Sequence, residues 1–149
     1  MLLEKMSADE QVVEHRDVKI LLSLPGVGRV ISATMLAEAS QPLAERDYHA
    51  IRSCSGTAPI TRQSGKRKMV VMRRGCNPRL RNALYPWSRV SVQNEPHSKE
   101  HYAALRAKGH SHGRALRGVA DRLLAVLVSM LRNGTPYDPP HQPAVAPSK

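Results

Sequence analysis

Ser64 stands in Thr61-Arg62-Gln63-Ser64-Gly65-Lys66-Arg67-Lys68, a hydroxyl placed among four cations. A serine hydroxyl is a weak nucleophile near neutral pH, and attack on a phosphodiester also needs positive charge where negative charge develops. Arg62, Lys66, Arg67 and Lys68 are side chains of the type that supplies it. Taken alone, however, the octapeptide serves equally well as a flexible basic loop. The remaining reactive types are sparser. His110 and His112 could hold a metal ion only with further ligands that the neighbouring sequence does not offer, and His97 and His101 share a helix face at a spacing of four. Glu95, Glu100, Asp121 and Asp138 do not form the spaced carboxylate set that two-metal phosphoryl transfer requires. No metal ligand is therefore assigned.

A second candidate site is built from backbone. Leu24-Pro25-Gly26-Val27-Gly28 lies between two helical stretches, and two glycines let the chain turn tightly there. Free N–H groups at the start of the following helix can then face a phosphate, with the helix dipole and Arg29 assisting. The segment resembles the hairpin of a helix-hairpin-helix DNA-binding element. The alternative is a helix–helix turn that uses proline and glycine for geometry only.

The charge distribution favours a polyanionic partner. The chain has 149 residues, 23 Lys plus Arg against 12 Asp plus Glu, and a formal net charge of +11. Residues 1–50 carry a net −3 and the remainder +14. Between Arg62 and Arg89 the basic residues are Arg62, Lys66, Arg67, Lys68, Arg73, Arg74, Arg79, Arg81 and Arg89, with no acid among them. Nucleic acid is the leading partner, and such contacts would be salt-sensitive and indifferent to base sequence. Two cysteines, Cys54 and Cys76, make no disulfide framework and no zinc motif, which fits a reducing cytoplasm. Neither a secretion signal nor a run of about 18 apolar residues is found, so no membrane partner is expected. Aromatic residues are 3% of the chain and phenylalanine is absent, so the core must be aliphatic.

The elements that position these residues are read as mainly α. A helical stripe runs from about Ala8 to Leu24, ended by Pro25-Gly26, and a second from Val27 to Ala39, ended by Gln41-Pro42. Asp47 caps a short helix to Cys54, and Ser55 to Pro59 breaks it. Residues 60–74 lack a helical period, and Met69 to Met72 suggest a strand or extended arm between basic clusters. Asn77-Pro78 opens a helix with Leu80, Ala83, Leu84, Trp87 and Ser91 on one face, and Pro86 should kink it. Ser98 is read as the cap of the next helix, ended by Gly109. From Arg114 to Leu131 the apolar positions form a broad stripe suited to the centre of the core. The proline-rich residues 135–149 read as an extended or disordered tail.

Taken in order, Leu24 to Gly28, Gly56-Thr57-Ala58-Pro59, Gln63-Ser64-Gly65, Gly75 through Arg81 with Ala83-Leu84, and Tyr137-Asp138-Pro139 form a series. It resembles the carboxy-terminal domain of insertion-sequence transposases that combine a DEDD, RuvC-like catalytic domain with a serine-bearing domain, relatives of the Piv invertase. The likeness spans about Val18 to Pro139, and Thr57 departs from it where an apolar residue is common. It implies residues 1–17 as the remnant of a connecting helix and 18–134 as the DNA-binding, serine-bearing domain. It also implies Ser64 as the recombination nucleophile of a mobile element, acting through a covalent phosphoserine. The Gly26, Gly28, Arg29, Arg62, Lys66, Arg67, Lys68, Arg73, Arg74, Arg79 and Arg81 positions would contact nucleic acid. No cofactor is expected in this chain; a divalent metal (Mg) belongs to the carboxylate domain. The implied partners are DNA, a structured guide RNA, a separate RuvC-like chain and further copies in a homo-oligomer at the nucleoid. The expected function is DNA transposition and recombination, dependent on the carboxylate domain for activity. The alternative is a non-enzymatic, sequence-independent nucleic-acid-binding module, and size and charge alone would also allow a ribosome-associated protein.

Overall fold

The computed structural model describes residues 16–64, 67–72 and 76–138, with the backbone alone described for 59–64 and 67–72. The fold is mainly α. In chain order, α1 covers residues 16–23, followed by α2 (Arg29–Glu38), α3 (Ser40–Ala44) and α4 (Tyr48–Ser55). An antiparallel hairpin of β1 (Pro59–Ser64) and β2 (Arg67–Met72) separates these from α5 (Pro78–Asn94), α6 (Pro96–Ala107) and α7 (His112–Asn133). The strands occupy the segment that lacked a helical period.

The core forms around α7, which packs on α4, α5 and α6. Ala115, Val119, Ala120, Leu123, Leu124, Leu127, Met130 and Leu131, the stripe read from spacing, are all buried, as are Leu116, Val126 and Val128. Opposite them lie Leu80, Leu84 and Trp87 of α5, with Ile20, Leu21 and Leu24 from α1 and its turn. Among the described residues Trp87 is the one fully buried aromatic side chain. Its indole N–H donates to the Pro25 carbonyl at 3.0 Å, and the Ser91 hydroxyl donates to the same oxygen at 3.3 Å. These bonds fix the α1–α2 turn to α5.

Three of the ion pairs among the described residues tie the centre of the bundle together. Asp17, 8% exposed, receives both guanidinium nitrogens of Arg46 at 2.6 and 2.9 Å. Arg46 sits at φ 54°, a left-handed backbone uncommon without glycine, and its carbonyl accepts from Arg132 at 3.0 Å. The second pair is Arg52 with Asp121 at 2.9 Å, where Tyr48 also donates to Asp121 at 2.8 Å. The third, Arg122 with Glu95 at 3.7 Å, joins α7 to the start of α6.

Helix ends follow local chemistry, with informative departures. Asp47 accepts from Ala50 N–H, and Asn77 accepts from Arg79 and Leu80, as read from sequence. The cap of α6 is Glu95 rather than Ser98: its carboxylate accepts from His97 and Ser98, Pro96 takes the first helical position, and Ser98 is buried inside the first turn. Gln41-Pro42 does not end helical structure, because Pro42 lies in the first turn of α3, where a missing N–H costs nothing. α5 runs unbroken through Pro86, whose missing N–H would have served the carbonyl of Asn82, an exposed residue. Ordered structure continues past Gly134: Tyr137 packs on the core and its N–H donates to Ser23 Oγ at 2.8 Å. The rest of the expected tail, 139–149, and the expected start of the first helix lie outside the described residues.

Gly26 has φ +80°, and a Cβ there would meet Val90 Cγ1 at 3.1 Å and Trp87 Cδ1 at 3.3 Å. Gly26→Ala should therefore lower unfolding free energy by about 2 kcal/mol in denaturant titration, most of it from the left-handed backbone. Gly28→Ala, with nothing near its Cβ position, should change it by about 0.5 kcal/mol or less. Burial and the bond to the Asp121 carboxylate push the Tyr48 hydroxyl up to about 12 from 10.0. The stabilisation tied to the proton on Tyr48 is fully present below pH 10 and lost as pH rises through 12. Near-ultraviolet titration should show Tyr48 ionising late, with Asp121→Asn bringing it to lower pH.

Candidate nucleic-acid interface

The arm that carries Ser64 leaves the helical body between α4 and α5. Gly56 ends α4 at φ 80°, a left-handed cap, and its amide bonds back to Ser53. At the other root, Asn77 N–H donates to the Cys54 carbonyl at 2.7 Å, so the chain returns beside the point from which it left. The side chain of Asn77 does two further things. Its oxygen caps α5 and its amide nitrogen donates to Glu38 Oε2 at 2.7 Å. Arg79 reaches the other Glu38 oxygen at 3.3 Å, and the two bonds hold the Glu38 carboxyl below its usual range, Asn77 contributing more. One residue thus ties α2, α4 and α5 at the root of the arm.

Within the arm the ladder runs from Pro59 opposite Met72 to Ser64 opposite Arg67. Strand alternation puts Ile60, Arg62 and Ser64 on one face by register, opposite Val71, Met69 and Arg67. Apolar residue types therefore occupy the root, and Ser64 occupies the last pair with a cationic residue across from it and another two positions back. Among the described residues, the substantial neighbour of each strand is the other strand. Lys66, Arg73 and Arg74 lie outside the described residues, and Lys68 pairs by register with Gln63.

The candidates on the body fall into two groups. Gly26 is engaged in packing the turn, as described above. Gly28 is exposed and forms the N-cap of α2 with no side chain capping the helix, and Arg29 and Val30 beside it are exposed. The first N–H groups of α2 therefore begin at a surface with no side-chain oxygen over them. Arg79 is 82% exposed despite its contact with Glu38, a surface pair of small energetic weight. Arg81 is half-buried and directs Nη1 to Cys76 Sγ at 3.8 Å. Arg89 is exposed on α5.

His49 and His112 each lie beside a tyrosine ring. The Tyr102 hydroxyl lies 2.8 Å from His112 Nδ1. Burial lowers His101 from its ordinary value, as Arg122 does to a smaller extent, and desolvation lowers His110. Among the described residues no group of three or more His, Cys, Asp or Glu is placed to hold a metal ion. No described helix is long and apolar enough to cross a membrane.

With the arm and the α2 start located, residues 18–103 match the Transposase IS116/IS110/IS902 family. The chain belongs to this family. A Streptomyces coelicolor protein named as the mini-circle transposase for IS117 is 38% identical over 135 residues, 90% of this chain and 32% of the relative. The 42 kDa protein of insertion element IS900 from Mycobacterium paratuberculosis is 33% identical over 140 residues, 93% of this chain and 35% of that protein. The 43.6 kDa protein of insertion element IS110, also from Streptomyces coelicolor, is 32% identical over 120 residues, 80% of this chain and 30% of the relative. The chain spans about a third of the length of these curated relatives. The matched region includes the α1–α2 turn, the arm and its root, and α5.

Sequence reasoning identified Asn77 as a cap but not as the tie to Glu38 and Cys54, because partners 39 and 23 residues away leave no local signal. Asn77→Ala removes a cap and the bond to Glu38. It should cost about 1 kcal/mol of stability. Amide exchange at residue 77 should accelerate as the arm root loosens, which hydrogen-exchange measurements would read directly.

Proposed function

We propose that this chain is the DNA-engaging, serine-bearing part of an insertion-sequence transposase, with Ser64 as the nucleophile of strand transfer. The observation that carries the reading is the β1–β2 register, which pairs Ser64 with Arg67 in the last rung and sets Arg62 on the same face. Two cationic residue types beside a hydroxyl match the needs of phosphodiester attack. In the step itself the Ser64 hydroxyl loses its proton, a bond forms between its oxygen and phosphorus, and one deoxyribose oxygen leaves and takes up a proton. Religation reverses these changes on another strand. A DEDD, RuvC-like domain related to that of the Piv invertase would supply the carboxylates and their metal, so the isolated chain is inactive in this reading. DNA is the substrate and a homo-oligomer the working form, with a structured guide RNA as a further partner at the nucleoid.

The grip on DNA is assigned to backbone phosphates. The α2 start at Gly28 offers N–H groups and Arg29, a helix-hairpin-helix type of contact, and the arm offers Arg62, Lys66, Arg67, Lys68, Arg73 and Arg74. Arg79 and Arg81 flank the root.

With a RuvC-like domain supplied, denaturing gels should show covalent protein–DNA adducts for the natural sequence and none for Ser64→Ala. Filter binding should find the affinity of that variant within about two-fold, while Arg29→Ala should weaken binding and flatten the salt dependence by about one unit of slope. Adducts that persist in Ser64→Ala would remove Ser64 as nucleophile. Steep salt dependence with no adduct under any condition would leave the non-enzymatic binding module.

A further inference from the structure

A cavity of about 230 Å³ opens beside the root of the arm, between the C-terminal end of α4, the middle of α5 and the first turns of α7. Its floor is apolar, formed by Leu84, Leu116 and Ala120, all nearly fully buried. Arg81 and Arg117 line it, and none of the described residues lining it is acidic. Tyr85 stands at its edge, 50% exposed, one of the few large apolar side chains left open to solvent among the described residues.

Each feature narrows the ligand. A cavity of about 150 Å³ is enough to take a benzene ring, whereas drug-sized ligands occupy roughly 300–1,000 Å³. The volume here suits one planar ring system and is small for a dinucleotide cofactor. An apolar floor with an aromatic rim favours a flat, weakly hydrated face. The two arginines favour an attached anion, since both line the cavity and no acidic residue among its described lining stands against them. A base carrying its own phosphate satisfies both requirements. The place agrees, since Gly56 and Thr57, which lead directly into β1, line the same cavity.

We infer that this cavity receives a single unstacked nucleotide of the nucleic acid held by the arm, its base against Leu116 and Tyr85 and its phosphate towards Arg81 and Arg117. The inference rests on the proposed nucleic-acid reading and adds a discriminating site to it. A backbone grip alone does not distinguish paired from unpaired positions, whereas a base-sized cavity does.

The test compares three DNA duplexes of equal length: fully paired, with one unpaired adenine, and with an abasic residue in place of that adenine. Binding of the 149-residue chain is measured at fixed salt by fluorescence anisotropy. Tyr85→Ala removes the aromatic edge, and Asn82→Trp places a bulky group at an exposed lining position. Neither replaces a buried side chain, and circular dichroism checks their folding. The natural sequence should prefer the unpaired adenine about ten-fold over both other duplexes. Both variants should lose that preference and keep their affinity for paired DNA. Equal affinity of the natural sequence for all three duplexes would overturn the cavity assignment while leaving phosphate binding in place. A preference that survives both variants would place recognition elsewhere and overturn it too. Failure to bind any duplex would overturn the nucleic-acid reading, and the cavity assignment with it.

Discussion

Asn77 is the constraint on which the geometry of the candidate site depends. A two-stranded hairpin is marginal by itself, so its direction must come from where its ends are held. Here one end is set by Gly56 closing α4 and the other by Asn77, whose N–H meets the Cys54 carbonyl while its side chain opens α5 and reaches Glu38. Backbone and side chain of one residue therefore join three helices where the chain enters and leaves the arm. Asparagine meets the demand because its short side chain has both an acceptor for the helix amides and a donor for the carboxylate. Aspartate would cap α5 equally well but would face Glu38 with like charge.

The α1–α2 turn shows a second economy, in which two glycines close together do different work. Gly26 lets the turn reverse under Trp87 and Val90, and its neighbour Pro25 presents the carbonyl that the indole N–H holds. Gly28 has room for a side chain and an ordinary backbone, so packing gives no reason for its being glycine. What it leaves open is the approach to the α2 amides. The turn is thus structural at one glycine and accessible at the other.

The parts of this fold legible in the sequence were those governed by neighbours along the chain. Hydrophobic period located α7 and its buried face, and the Asp47 and Asn77 caps announced α4 and α5. The arm appeared as a segment without helical period, though its strand pairing did not, because register depends on cross-strand partners. Glu95 escaped notice as a cap because serine is the stronger statistical choice and Ser98 stood nearby. It serves because its carboxylate also faces Arg122, on a helix more than twenty residues away. Arg46 in a left-handed conformation and Tyr137 docked on Ser23 belong to the same class: each is stabilised by a partner remote in sequence. The site divides similarly. Ser64 and its cations were visible as residue types, whereas the cavity beside the arm, assembled from three helices, was not.

Charge pairing sharpens what the net charge of the chain means. The acids of the helical body are largely committed internally: Asp17 to Arg46, Asp121 to Arg52 and Tyr48, Glu95 to Arg122 and the α6 amides, and Glu38 to Asn77 and Arg79. Arginines in these pairs hold helices together, and those that are half-buried cannot turn to a phosphate without leaving a carboxylate unmatched at substantial cost. Counting them towards polyanion binding would overstate the body's part. Between Pro59 and Cys76, by contrast, six basic residues occur with no acid in the segment. In the body Arg46, Arg52, Arg79 and Arg122 are paired with its own acids, whereas the arm has no acid to pair with. In the segment that carries Ser64, between Pro59 and Cys76, no carboxylate therefore competes for the six cations, while the arginines of the four body pairs are already engaged.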